Sequence, residues 1–375
     1  MTMQDELSVE DFLKALKIDY ENKKHNVAIA EEEFPIGNRC ALIAPPAAGK
    51  TVTVAGLFMR AQAKVTETCH SSTPFLARVL EKGSDIHQDI SNLMSGYFPA
   101  KTQQYLGFRS SPGLLLERKK VVKVPFLGEQ AIWHRLLQLP ICDLPGETLT
   151  QVMWQVRAQN AYQQAATKQL IENAIAEMRE SNAYVFILKA STAMGLGEQL
   201  EQEKDPTVSR DPDVNQVRML EDLTNYKMKH GDPIKAVYVV VTACDKIARR
   251  GNQLGFDFLN KRTGSRDIEK FVSSCYRQFY SHLHSSGIPT IKYYPMFFQT
   301  LKDDDGNEVL FEDPVFIRQP DGTTTTKIVK RPHIMTKDLM DPASPSIWDN
   351  VRKISYSEEQ FDNLLNDLMD LAVNR

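Results

Sequence analysis

Apolar runs separated by polar, helix-period stretches set the rhythm of this chain. "NRCALIA" (38–44), "AYVFILKA" (183–190), "KAVYVVVTACD" (235–245) and "TIKYYPMFF" (290–298) are short, nearly continuous apolar segments. Runs of this length, rich in β-branched and aromatic residues, predict strands buried on both faces. Between them the period changes to that of a helix. Residues 50–65, 148–180, 213–229 and 266–285 read as helices, and so does 357–373, where Phe361, Leu364, Leu365, Leu368 and Leu371 share one stripe. A further amphipathic helix is expected over 5–18, built on Leu7, Phe12, Leu13, Leu16 and Ile18. Strands that alternate with helices predict an α/β fold on a mainly parallel sheet.

Two segments depart from that rhythm. "ERKKVVKVPFL" (117–127) and "AIWHRLLQLPIC" (131–142) are joined by "GEQ", which predicts an antiparallel pair. Pro140 cannot donate to a ladder, so it marks a bulge or the last paired residue. Near the end, "EVLFEDPVFIRQPDGTTTTKIVKRPHIM" alternates around Asp321-Gly322 and reads as a hairpin. Residues 66–116 and 195–235 are polar or turn-rich and read as insertions. The expected organisation is a lead-in helix over 1–37, a main domain over 38–300, and a C-terminal hairpin and helix over 301–375.

Composition narrows the picture. Of 375 residues, 42% are hydrophobic and 25% charged, and the net charge is −3. That balance argues against a broad nucleic-acid surface. No apolar run approaches the roughly 20 residues that span a bilayer. The acidic, amphipathic start is unlike a signal peptide, and five scattered cysteines form no CxxC pair. A cytoplasmic protein with reduced thiols is expected. His282 and His284, two apart on a helix, face different sides and do not make a metal pair.

The chemistry begins at "ALIAPPAAGKT" (41–51), where a strand runs into a helix. Ala44, Gly49, Lys50 and Thr51 fit [A/G]-x-x-x-x-G-K-[ST], with alanine where the strict pattern has glycine. A chance match in such a chain has a probability of roughly 3% from average residue usage. Gly49 lets backbone approach a phosphate, Lys50 carries a positive charge to it, and the Thr51 hydroxyl suits Mg²⁺. The helix adds the positive end of its dipole. Pro45 and Pro46 lack N–H groups, so the cradle falls to Ala47, Ala48, Gly49, Lys50, Thr51 and Val52.

Two further acids end apolar runs. "DLPG" places Asp143 where a carboxylate can hold Mg²⁺ through water, and Gly146 where an N–H can meet a γ-phosphate. The other reading is an acidic turn that caps a strand. "TACDK" places Asp245 where its two oxygens can accept from the N1–H and amine of guanine. Adenine offers no such pair of donors. The other reading of Asp245 is an acidic helix cap.

In this order, A-P-P-A-A-G-K-T, D-L-P-G and T-A-C-D resemble the translation-factor-related class of P-loop GTPases, over about residues 38–300. "DLPGE" adds a narrower similarity to double-GTPase domains. The resemblance implies a three-layer α/β/α P-loop NTPase sandwich with an antiparallel strand pair. It implies GTP/GDP and Mg²⁺ as ligands, GTP hydrolysis as the activity, and a switch or assembly role through protein partners or a homo-oligomer. Lys50, Gly146 and Glu147 are then the catalytic group, Thr51 and Asp143 the metal group. Thr242, Asp245, Lys246 and Gln299 are the base-contacting group. Thr66, Thr68, Thr73 and Thr102 compete for the switch threonine, and Arg109 or Arg118 for an internal arginine finger.

Some positions depart from the class. Ala243 replaces the lysine that packs on the base, no S-A-K follows the last strand, and Glu147 stands where a water-orienting glutamine is common. Slow turnover follows from that carboxylate. Two alternatives remain: a nucleotide-binding structural subunit, and a P-loop ATPase. Leu144 instead of a second acid after Asp143 counts against the ATPase.

Overall fold

The computed structural model describes residues 38–44, 48–68, 75–79, 85–99, 113–140, 176, 178–190, 212–245, 257–260, 264–305, 307–318, 324–336 and 354–373. The segments 1–37 and 141–175 lie outside the described residues, and with them the helix expected over 5–18 and all but the end of the one expected over 148–180, where 176 and 178–180 are helical.

Seven strands form the main sheet: β1 (Asn38–Ile43), β2 (Phe75–Val79), β3 (Gly113–Val124), β4 (Gly128–Pro140), β5 (Ala183–Lys189), β6 (Ala236–Thr242) and β7 (Thr290–Pro295), in the order β2-β3-β4-β1-β5-β6-β7. β4, β1, β5, β6 and β7 run parallel, and β3 is antiparallel to both β2 and β4. The fold is therefore α/β with a mainly parallel sheet, as the apolar runs predict. β5 and β6 are buried at every position but their last, which is why they read as unbroken apolar runs. Pro140 is the final paired residue of β4, opposite Gly113, where a missing N–H breaks no further ladder.

The helices are α1 (Lys50–Thr68), α2 (Asp85–Met94), α3 (Pro212–His230), α4 (Gly264–Cys275), α5 (Arg277–Ser285) and α6 (Glu358–Val373). They cover both faces of the sheet. Alternate strand residues Cys40, Leu42, Val185, Ile187, Tyr238 and Val240 share one core with α1, α2 and α6. Ala41, Ile43, Tyr184, Phe186, Val237 and Val239 share the other with α3, α4 and α5. A second sheet is the hairpin of β8 (Leu310–Arg318) and β9 (Thr324–Pro332).

Several elements differ from the sequence expectation. The segment 66–116, expected to be irregular, holds β2, α2 and the start of β3. Ile86, Ile90 and Leu93 in α2 carry a helical spacing, and Ile90 and Leu93 are buried. The turn between β3 and β4 is Pro125-Phe126-Leu127, three residues before the "GEQ" expected, because Gly128 (φ 72) already pairs with Val124. The helix expected over 266–285 is interrupted at Tyr276, whose φ −122 and ψ 56 are not helical, although the Tyr276 N–H still donates to the Val272 carbonyl and the Tyr276 carbonyl still accepts from Tyr280. The helical piece in the expected insertion 195–235 is α3, the crossover from β5 to β6, with Leu220 and Leu223 in the core.

α6 is built into the first core. Phe361, Leu364, Leu365 and Leu368 are buried there against α1. Arg60 on α1, 6% exposed, grips Asp362 through two hydrogen bonds of 2.6 and 2.9 Å and reaches Glu358 at 2.8 Å. Asp367 accepts from the Tyr294 hydroxyl and Lys292, tying the same helix to β7. Among the described residues no helix is long and apolar enough to cross a membrane.

Candidate functional site

From β1 the chain leaves to one side of the sheet through α1; from β5 it leaves to the other side through α3, on the opposite face. In open parallel sheets such a switch point opens a crevice at the carboxyl ends of the strands. Ala48 and Gly49 lie there. Gly49 has φ 85, a left-handed conformation that costs other residues about 1–2 kcal/mol. A Cβ added to it would stand 3.4 Å from the Thr242 hydroxyl. Lys50 is the first residue of α1, and its turn is closed by the Thr53 N–H donating to the Gly49 carbonyl at 2.9 Å.

The end of β6 braces this junction. The Thr242 hydroxyl lies 2.6 Å from the Ala48 carbonyl and 3.2 Å from the Leu188 carbonyl, so its single proton joins three segments. Ala243 follows with φ 57, turning the backbone sharply. Cys244 is then buried, its Sγ donating to the Val241 carbonyl at 3.1 Å. Burial pushes its thiol well up; the Asp245 charge acts in the same direction, and the Met296 backbone contact opposes it. The thiol is thus held as a neutral core group beside Asp245.

A cleft of about 260 Å³ opens on this corner. Ala48, Gly49, Val52, Thr242 and Asp245 contribute to it, together with Lys189 at the end of β5. Met296 and Phe297 line the side beyond β7. Phe98, Phe298 and Phe361 supply aromatic walls, and Arg331 and Pro332 of β9 complete the lining. Phe298 stacks on Tyr356 with ring centroids 5.4 Å apart, and meets Phe361 at 5.7 Å. A few polar groups set in apolar walls are what a small-molecule site needs.

Of the residues singled out in the sequence, Ala48, Gly49, Val52, Thr242 and Asp245 line this one cleft. Lys50 and Thr51 open α1 beside it. Gln299 is held elsewhere: its side-chain oxygen accepts from the Ser355 hydroxyl at 2.7 Å, and its backbone pairs with Ser355 and Met335. Ala47, Asp143, Gly146, Glu147 and Lys246 lie outside the described residues, as do Thr73, Thr102 and Arg109. Thr66 and Thr68 belong to the last turn of α1. Arg118 sits within β3, opposite His134 of β4 and Phe75 of β2.

The two histidines also have local partners. His282 meets the Thr224 hydroxyl at 3.2 Å, and His284 the Tyr293 hydroxyl at 3.0 Å. Among the described residues no group of three or more His, Cys, Asp or Glu side chains is arranged to hold a metal.

Sequence reasoning missed Phe98, Phe298, Phe361, Arg331 and Pro332. Only Phe361 carried a signal, as part of a helical stripe, and that signal pointed to a core. No family model matches the chain, and no curated protein matches it.

Proposed function

We propose that this chain is a P-loop GTPase with an α/β/α sandwich fold, acting through protein contacts as a switch or an assembly factor. The observation that carries the reading is the shared cleft. A glycine of left-handed φ at the start of a helix, followed by Lys50 and Thr51, opens on the same space as Asp245. A phosphate end and a base-reading end thus meet at the carboxyl edge of a parallel sheet.

The residues present fit a nucleoside triphosphate. Gly49 leaves open a space that a Cβ would take up. The N-terminal turn of α1 brings backbone N–H groups and a positive dipole end toward phosphate oxygens. Lys50 would neutralise phosphate charge there, and the Thr51 hydroxyl would hold Mg²⁺, with Asp143 as the second-sphere carboxylate. When bound, Mg²⁺ neutralises charge that develops on the transferred phosphate. Asp245 would accept from the donor edge of guanine, and Thr242 positions the loop through Ala48. Gly146 and Glu147 would meet the γ-phosphate and the attacking water.

A second reading is a subunit that holds its nucleotide and turns it over slowly. Ala243, at φ 57 where relatives of the resembled class carry lysine, favours it.

Equilibrium binding and hydrolysis of GTP, ATP and XTP test the proposal, in wild type, Lys50→Ala and Asp245→Asn. Preference for GTP, loss of binding in Lys50→Ala, and a shift toward XTP in Asp245→Asn are expected. An amide in place of the carboxylate can donate to the xanthine carbonyl. Wild-type preference for ATP, or unchanged selectivity in Asp245→Asn, rejects the guanine assignment. GTP binding without turnover selects the second reading.

A further inference from the structure

We propose that Arg331, on the C-terminal strand β9, is the specificity-determining donor that reads the acceptor edge of the base; this rests on the nucleotide reading of the cleft. Asp245 and Arg331 line the same space, one an acceptor and the other a planar donor. Guanine has the matching pair of edges. Its N1–H and amine face a carboxylate, and its O6 and N7 accept from a guanidinium fork. Adenine carries an amine at the sixth position, a second donor that cannot meet Arg331. The aromatic walls of the same cleft are Phe98, Phe298 and Phe361, which suit a flat heteroaromatic ring.

The resembled class places a lysine beside the base where this chain has Ala243, and no S-A-K loop follows β7. β9 brings a cation to the same corner from another part of the fold. Arg331 is held ready for the task. It sits opposite Phe311 in the hairpin register, and its Nη1 donates to the Phe98 carbonyl at 3.3 Å. Around it, Tyr97, Phe311 and His333 pack ring on ring, with centroids 4.6–4.9 Å apart. The Ile334 N–H donates to the Gly96 carbonyl at 2.8 Å. Arg331 and Phe98 therefore come to the cleft as one unit, so ordering the guanidinium on a base loses little side-chain freedom.

The test compares dissociation constants for GTP, ITP and ATP on the full chain, in wild type, Arg331→Ala, Arg331→Gln, Lys189→Ala and Lys50→Ala. ITP keeps O6 and N7 but lacks the amine that Asp245 accepts. Loss of an acceptor-edge reader therefore weakens GTP and ITP by the same factor, roughly 5- to 150-fold, and leaves ATP within about twofold. Arg331→Gln serves as the second variant where Arg331→Ala does not fold. Equal loss for all three nucleotides overturns the inference, because Arg331 then only holds Phe98 in place. A selective loss in Lys189→Ala with Arg331→Ala silent also overturns it. Absence of Lys50-dependent binding rejects the nucleotide reading and the inference with it. Lys50-dependent binding with an unchanged GTP:ATP ratio in Arg331→Ala rejects the inference alone.

Discussion

The Thr242 hydroxyl donates to the Ala48 carbonyl at 2.6 Å, across 194 positions of sequence. This bond joins the end of β6 to the loop that opens α1. Thr242→Val keeps the shape and removes the donor, so the Ala48 carbonyl loses its partner. The expected loss in unfolding free energy is about 1–3 kcal/mol, with weaker GTP binding, and Thr242→Ser restores both. Urea denaturation and a binding titration on the three proteins check this; an unchanged midpoint in Thr242→Val refutes it.

Gly49→Ala tests the loop from the other side. The left-handed φ of 85 and the nearby Thr242 side chain both oppose a Cβ. Destabilisation of about 1–2 kcal/mol is expected, together with a fall in triphosphate affinity. Gly128→Ala is the matched control. Its φ is 72, but a Cβ there meets nothing within 4 Å, so stability falls by a similar amount while binding stays at the wild-type level.

Gly56→Ala reports on the seam between α1 and α6. A Cβ at Gly56 would lie 2.8 Å from the Phe361 ring and 3.1 Å from that of Phe298. Alanine favours the helix by about 1 kcal/mol, but overpacking a rigid aromatic contact costs about 1–3 kcal/mol. Melting curves should therefore show a net loss. Phe361→Leu in the same chain should recover part of it, giving a coupling energy of about 0.5–3 kcal/mol in a double-mutant cycle. Strict additivity of the two substitutions would show that the contact does not bear on stability.

Stability should fall in alkali. Burial raises the Cys40 and Cys244 thiols above their ordinary value of 9.0, and Asp245 adds to the effect at Cys244. Burial likewise raises the Tyr184 and Tyr238 phenols above 10.0. The Tyr184 hydroxyl needs its proton to donate to the Met178 and Ser181 carbonyls, each 2.8 Å away. Above pH 9 to 10 the unfolded chain releases protons that the folded chain keeps. Stability from these groups is therefore full below that range and is lost progressively as pH rises above it toward the raised folded values. Each group contributes a slope of about 1.36 kcal/mol per pH unit. Urea midpoints measured across the range check the direction. Cys244→Ala should remove close to one proton from the difference, and an unaltered slope would contradict the assignment.

The buried parallel strands were legible because burial on both faces writes itself as an unbroken apolar run, as in "VYVVV" of β6. Gly49-Lys50-Thr51 stood out because the motif is local, whereas the place of Gly49 in one cleft with Asp245 depends on how β6 packs beside the start of α1. β2 escaped because five residues, "FLARV", are too short to establish a period, and its pairing partner lies near Leu116. The break at Tyr276 escaped because no proline or glycine marks it, and helical hydrogen bonds continue on both sides of it. Arg331 and Phe361 were invisible as site residues. Their place in the cleft depends on the return of the chain after β7, and nothing in their own neighbourhood records that.

The seam of α6 on α1 also sets a schedule. The floor of the cleft is written near Ala48 and its last aromatic wall at Phe361, so a ribosome releases the two ends of the same cavity more than three hundred residues apart. β1 must wait for β5 before its central pairing can close, and α1 must wait for α6 before Gly56 meets its ring. The cleft is thus assembled late in synthesis, and a chain interrupted before α6 would carry Gly49-Lys50-Thr51 without the chamber around it.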